Sequence, residues 1–148
     1  MTLSKNKTFS QEYVYSFADD GGATGAISLS GKDGYPSLPE GAIVQRVFAI
    51  VETACTSSGS ATLAWGNTTD PDGYHVAVAV ASLTANSVHN HQDATAALLF
   101  DDTNDHEIYY RVSSTAGNQD VSCTIATAAL TAGVVRFVVE GYFPGRSE

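Results

Sequence analysis

The residues best suited to chemistry lie in one acidic turn, Asp101-Asp102-Thr103-Asn104-Asp105. The carboxylates and amide of Asp101, Asp102, Asn104 and Asp105 are the hard oxygen donors that a calcium ion takes. The ligand order of an EF-hand and its bidentate glutamate are missing, and Asp and Asn favour turns for their own backbone hydrogen bonds. The turn reading is adopted and no metal is assigned. His89-Asn90-His91 sets two imidazoles on one side of an extended segment, with His75 and His106 elsewhere. Two ligands can begin a metal site, but no cysteine or carboxylate spacing completes this one, so a solvated loop is preferred.

Covalent catalysis needs a serine or cysteine held against a base that is itself oriented by a third group. The serines lie in turns, with no Gly-x-Ser-x-Gly elbow, and Cys123 falls on the apolar face of a strand, where a thiol tends to be inert. Gly31-Lys32-Asp33-Gly34 lacks the glycine spacing and following helix of a phosphate-binding loop. The chain is therefore read as non-enzymatic and without cofactor. Cys55 and Cys123 are the only cysteines. They are expected as buried thiols, with a disulfide or a functional thiol as the alternative.

The elements that carry these residues read as short strands. Tyr13, Tyr15 and Phe17 alternate with Glu12, Val14 and Ser16 over 11–17, and Thr24 to Ser30 is a second strand. The breaker-rich loop 31–41 carries Tyr35 and Leu38 and is expected to pack on the surface rather than to link domains. Ala42 to Thr53 is apolar on both faces: Val44, Phe48 and Ile50 on one, Ile43, Val47, Ala49 and Val51 on the other. The second face then needs a cover, such as a loop, a helix or another subunit. Ala61 to Trp65 is a short strand whose tryptophan is expected to close one end of the core rather than to stack on a sugar.

After Asp70 and Pro71, placed as helix cap and first helical residue, alanines favour helix while Val76, Val78 and Val80 alternate as a strand would. The local cap tips the expectation to one short helix near 71–83. Strands over 94–100 and 107–113 flank the acidic turn, and 120–143 reads as a closing hairpin with its turn at Thr131-Ala132-Gly133. The inner face of its last strand is Val135, Phe137 and Val139. About eight short strands between turns predict an all-β protein, an antiparallel β-sandwich or jelly roll. Residues 1–10 read as a flexible N-terminal arm and 11–148 as one β-sandwich domain.

Composition agrees. The 148 residues are 43% hydrophobic and only 16% charged, which suits a small-residue β domain better than long amphipathic helices. A net charge of −9 with scattered basic residues offers no stripe to neutralise a nucleic acid. No apolar run reaches the ~18 residues that span a bilayer, and MTLSKNKTFSQEY lacks a signal-peptide core. Neither nucleic acid nor membrane is expected as a partner.

Three segments resemble the small decoration, or cement, proteins of tailed-bacteriophage heads: Leu38-Pro39-Glu40-Gly41-Ala42-Ile43-Val44, Ser60-Ala61-Thr62-Leu63-Ala64-Trp65-Gly66, and Leu130-Thr131-Ala132-Gly133-Val134. The resemblance runs over roughly residues 38–143 and is one of pattern. It implies a jelly-roll domain, often a homotrimer, that binds the capsid surface at junctions between major capsid protein subunits and stiffens the shell. The virion, assembled in the host cytoplasm, is then its location. No catalytic residues carry over. Candidate interface residues are Lys5 and Lys7 in the arm, Gln45, Arg46 and Phe48 in the long strand, and Arg136, Val138 and Tyr142 in the last one. Arg46 reads either as a solvated or paired side chain or as an interface anchor. The alternative is a carbohydrate- or receptor-binding module of a phage tail or fibre, with Tyr13, Tyr15, Tyr109, Tyr110 and Tyr142 as candidate sugar contacts. A cytosolic enzyme subunit comes last.

Overall fold

The computed structural model describes residues 7–90 and 110–144. Period-two alternation becomes two antiparallel sheets packed face to face. The first sheet runs β1 (Lys7–Ser16), β9 (Leu130–Phe143), β3 (Ile43–Ser57), β6 (Val88–Asn90), with β7 (Tyr110–Arg111) also beside β3. The second runs β2 (Gly25–Ser28), β8 (Ser122–Ala126), β4 (Thr62–Gly66), β5 (His75–Ala79). Inward residues of both sheets form one core: Tyr13, Tyr15, Val47, Ala49, Val51, Val135, Phe137 and Val139 from the first, Leu63, Trp65, Cys123 and Ile125 from the second. The expected sandwich is what the chain builds, with nine strands among the described residues.

The closing segment differs from expectation. β8 and β9 are not a hairpin; they lie in different sheets and face each other across the core. Residues 127–129 arch between the layers, with Thr127 at φ 72 and Leu130 N–H donating to the Gly22 carbonyl. Two strands with one apolar face each give the same alternation whether they pair edge to edge or meet face to face, so the pattern does not separate the two cases. Thr131-Ala132-Gly133 is no turn either, but part of β9. A Cβ on Gly133 would sit 2.6 Å from Cys55 Sγ, and its φ is 142. Glycine there serves close approach of β9 to β3.

The short helix expected near 71–83 is absent. Asp70-Pro71-Asp72-Gly73 is instead a turn in which the Asp70 carbonyl accepts from both Asn67 N–H and Gly73 N–H. Residues 75–79 are the edge strand β5, followed by a single 3-10 turn, Val80–Ser82. An Asp-Pro pair suits a β-turn as well as a helix start, and strand pairing with β4 decided the outcome. One helical turn, α1 (Phe17–Asp20), follows β1 and takes Phe17, which the alternation over 11–17 assigned to the strand.

Two boundaries also move. β1 begins at Lys7, which lies opposite Phe143, so Lys7–Ser10 belong to the sheet and not to a flexible arm. In β3 the register slips between Val44 and Arg46. This bulge turns Val44 inward beside Val47, Ala49 and Val51, and leaves Gln45 and Arg46 exposed. The loop 31–41 packs as expected: Leu38 is buried and its N–H bonds the Gln119 carbonyl, while the Tyr13 hydroxyl donates to the Pro36 carbonyl at 2.6 Å.

Candidate interaction surface

Cross-strand pairing arranges the outer face of the first sheet in rows. Glu12, Val138, Phe48 and Asn90 form one row across β1, β9, β3 and β6. Val14, Arg136, Ile50 and Val88 form the next, and Ser10, Glu140 and Arg46 the row on the other side. This face mixes apolar and charged side chains. Val88 stands 56% exposed at the edge, while Phe48, Ile50 and Val14 are half-buried.

Ion pairs are interleaved with these apolar residues. Arg136 donates from Nη1 to Glu12 at 2.5 Å and from Nε to Glu52 at 2.7 Å, so one guanidinium ties β1, β9 and β3 together. Those two carboxylates hold its pKa above the ordinary arginine value. Arg46 forks onto Glu140, with Nε at 2.9 Å, and its guanidinium lies 5.3 Å over the Phe48 ring. Arg46 is thus a paired side chain, and its charge is already balanced within the chain. Charges already paired within the chain lower the desolvation cost of covering the face.

Of the expected interface residues, Arg46, Phe48, Arg136, Val138 and Tyr142 therefore share one face, with Tyr142 opposite Thr8 and Ile43. Gln45 is exposed at the bulge, Lys7 lies at the strand end, and Lys5 falls outside the described residues. Val138 is only 6% exposed, hemmed by Glu12 and Phe48, so it supports the sheet more than it offers contact. Sequence reasoning missed Glu12, Glu52 and Glu140, the carboxylates that fix both arginines. Only the strand order β1-β9-β3 brings them together, and alternation within one strand carries no such signal.

The other candidates are dispersed. Asp101, Asp102, Asn104 and Asp105 lie outside the described residues, as do His91, His106 and Tyr109. His75 is buried in the second sheet and stacks on Trp65 at 4.3 Å between ring centroids, whereas His89 is in the first sheet with Nε2 3.1 Å from Ser87 Oγ. Trp65 is buried and also meets Phe137, closing the core as expected. Tyr13 and Tyr15 are fully buried, with hydroxyls on the Pro36 and Gly21 carbonyls, so neither is available to a sugar. Both cysteines are free and buried; burial pushes the Cys55 thiol up to about 11 and Cys123 to about 12. Such thiols are weak nucleophiles.

The fold and this face define a small β-sandwich with a charge-balanced, partly apolar sheet surface. No protein-family model and no curated protein matches the chain. Three solved structures contain chains of the same fold. A chain of the cyanophage Pam1 capsid asymmetric unit superposes with a TM-score of 0.62 at 23% identity, over 97% of this chain and 89% of that one. A chain in the acid-stable capsid of Helicobacter pylori bacteriophage KHP30 gives 0.60 at 11% identity, over 97% and 95%. One in the capsid of Ralstonia phage GP4 gives 0.52 at 16%, over 95% and 86%.

Proposed function

We infer that the chain is a non-enzymatic structural protein of a phage virion, a jelly-roll-type decoration protein that binds the outer surface of the assembled capsid and stabilises it. The observation that carries this reading is the two-sided coverage of the capsid chains. The superpositions span 95–97% of this chain and 86–95% of the others. The likeness therefore runs over most of each matched chain and is not confined to one part of it. The partner is the major capsid protein, and the protein acts as a homo-oligomer, a trimer in the manner the sequence resemblance implies.

The outer face of β1, β9 and β3 is the surface we assign to capsid contact. Shell subunits repeat, so an oligomer engages several at once, and modest contacts multiply into stable occupancy. The test is co-sedimentation of purified protein with empty heads that lack it. Saturable binding of wild type with loss of binding in Phe48→Glu supports the reading. Failure of wild type to bind, or undiminished binding by the variant, contradicts it.

A further inference from the structure

The first sheet ends at β1, ten residues long, whose outward backbone groups are not all closed. Lys32 Nζ donates to the Val14 carbonyl at 3.1 Å, and Ser16 N–H donates to Asp20 Oδ2 at 2.9 Å. The Lys32–Asp20 pair, 2.6 Å apart, thus plugs the upper end of the edge. Alternation along a strand makes Thr8, Ser10 and Glu12 face the same way as Val14 and Ser16. Among the described residues nothing bonds the outward backbone of Thr8 or Ser10, and Glu12 has only a 3.3 Å contact from the neighbouring Gln11 side chain. Half of a long edge is blunted and half is left open.

We propose that the open half of β1 pairs antiparallel with β1 of a second copy, about a two-fold axis at Ser10. Centred there, Ser10 exchanges both hydrogen bonds with Ser10 of the second copy, and Thr8 and Glu12 pair reciprocally, so all three outward sets are satisfied. A centre one residue later would set Thr8 against Val14, whose carbonyl Lys32 already occupies. One residue earlier, Thr8 and Ser10 would pair with each other and Glu12 would find no partner within β1. No like charges oppose each other at the chosen centre, where Thr8 faces Glu12 and Ser10 faces its own copy. The contact is isologous, the form a two-fold interface takes. It would join the outer faces of two first sheets into one surface, and it does not depend on the capsid reading.

Proline at Ser10 is the sharpest probe, because the N–H it removes points away from β9 and the sheet within the chain keeps its ladder. Cysteine scanning reads the register. After mild oxidation and alkylation, denaturing electrophoresis without reductant should show Ser10→Cys mostly as dimer. Thr8→Cys alone and Glu12→Cys alone should stay monomeric, while their mixture cross-links. Ser10→Pro should fold as wild type and have half the mass that light scattering detects for wild type. The proposal is overturned if Ser10→Cys does not cross-link, or if Ser10→Pro keeps the wild-type mass. Loss of capsid occupancy in Ser10→Pro without a Ser10→Cys cross-link also overturns it and assigns the edge to a strand of another protein.

Discussion

Cys55 on β3 and Gly133 on β9 approach so closely that a Cβ on the glycine would lie 2.6 Å from the thiol sulfur and 3.1 Å from the cysteine Cα. The register of β3 on β9 shifts on either side of this point, pairing Thr53 with Val134 and Thr56 with Ala132. Gly133→Ala meets both the sulfur and a positive φ, so it should cost roughly 2–4 kcal/mol of stability. In the Cys55→Ala background the sulfur overlap is gone and only the backbone strain stays, so the cost should fall by about half. Urea denaturation of the four proteins in this cycle checks it; equal penalties in both backgrounds would mean that the sulfur contact is not what fixes the glycine.

The outer face separates support from contact. Val138→Asp places a carboxylate in a nearly enclosed position and should lose about 3 kcal/mol. Phe48→Ser, half-buried beside it, should lose about 1 kcal/mol. Thermal melting of the two variants gives the order, and the reverse order would contradict the pairing of Val138 between Glu12 and Phe48.

Thiol chemistry should follow burial. With pKa values pushed up to about 11 and about 12, Cys55 and Cys123 are thiols rather than thiolates at about pH 8. Ellman titration of the native protein should be slow, and unfolding in urea without reductant should release two reactive thiols. A rapid native reaction would require an opening of the core at β3 or β8.

The turn after β4 should carry a small pH dependence. Burial first, and then the hydrogen bond and charge of Asp72, raise the Asp70 carboxyl above its ordinary value. The folded state therefore holds that proton at pH values where the unfolded chain has released it. The contribution is stabilising below the unfolded pKa and is lost as pH rises through the folded one. Asp70→Asn should gain stability relative to wild type between about pH 4 and about pH 7, by a few tenths of a kcal/mol given the exposure of the turn. Denaturant midpoints for both proteins at the two pH values measure the difference, and a constant difference would remove Asp70 as its source.

Inner faces were legible in the sequence, since Tyr13 and Tyr15, and Val135, Phe137 and Val139, recur at every second residue and are all buried. Strand order was not, because alternation reports which face is buried and is silent on which strand lies alongside. That is why β8 and β9 read as a hairpin although they belong to opposite sheets. It is also why Arg136 could be singled out but not joined to Glu12 and Glu52, which lie 124 and 84 residues away along the chain. The bulge at Gln45 was equally hidden: one extra residue moves Val44 to the other face, and no feature of IVQRV marks it. At Asp70-Pro71 the local cap signal points to a helix, whereas pairing with β4 makes residues 75–79 a strand.

Heat resistance of heads tests the central claim most directly. Empty or filled heads lacking this protein would be titrated with it while rupture temperature and bound protein are followed together. The account predicts that rupture temperature climbs with occupancy and levels off when binding saturates, and that Phe48→Glu, folded by circular dichroism, raises neither. Saturable binding with no change in rupture temperature, or no binding at all, would contradict a stabilising role on the capsid surface.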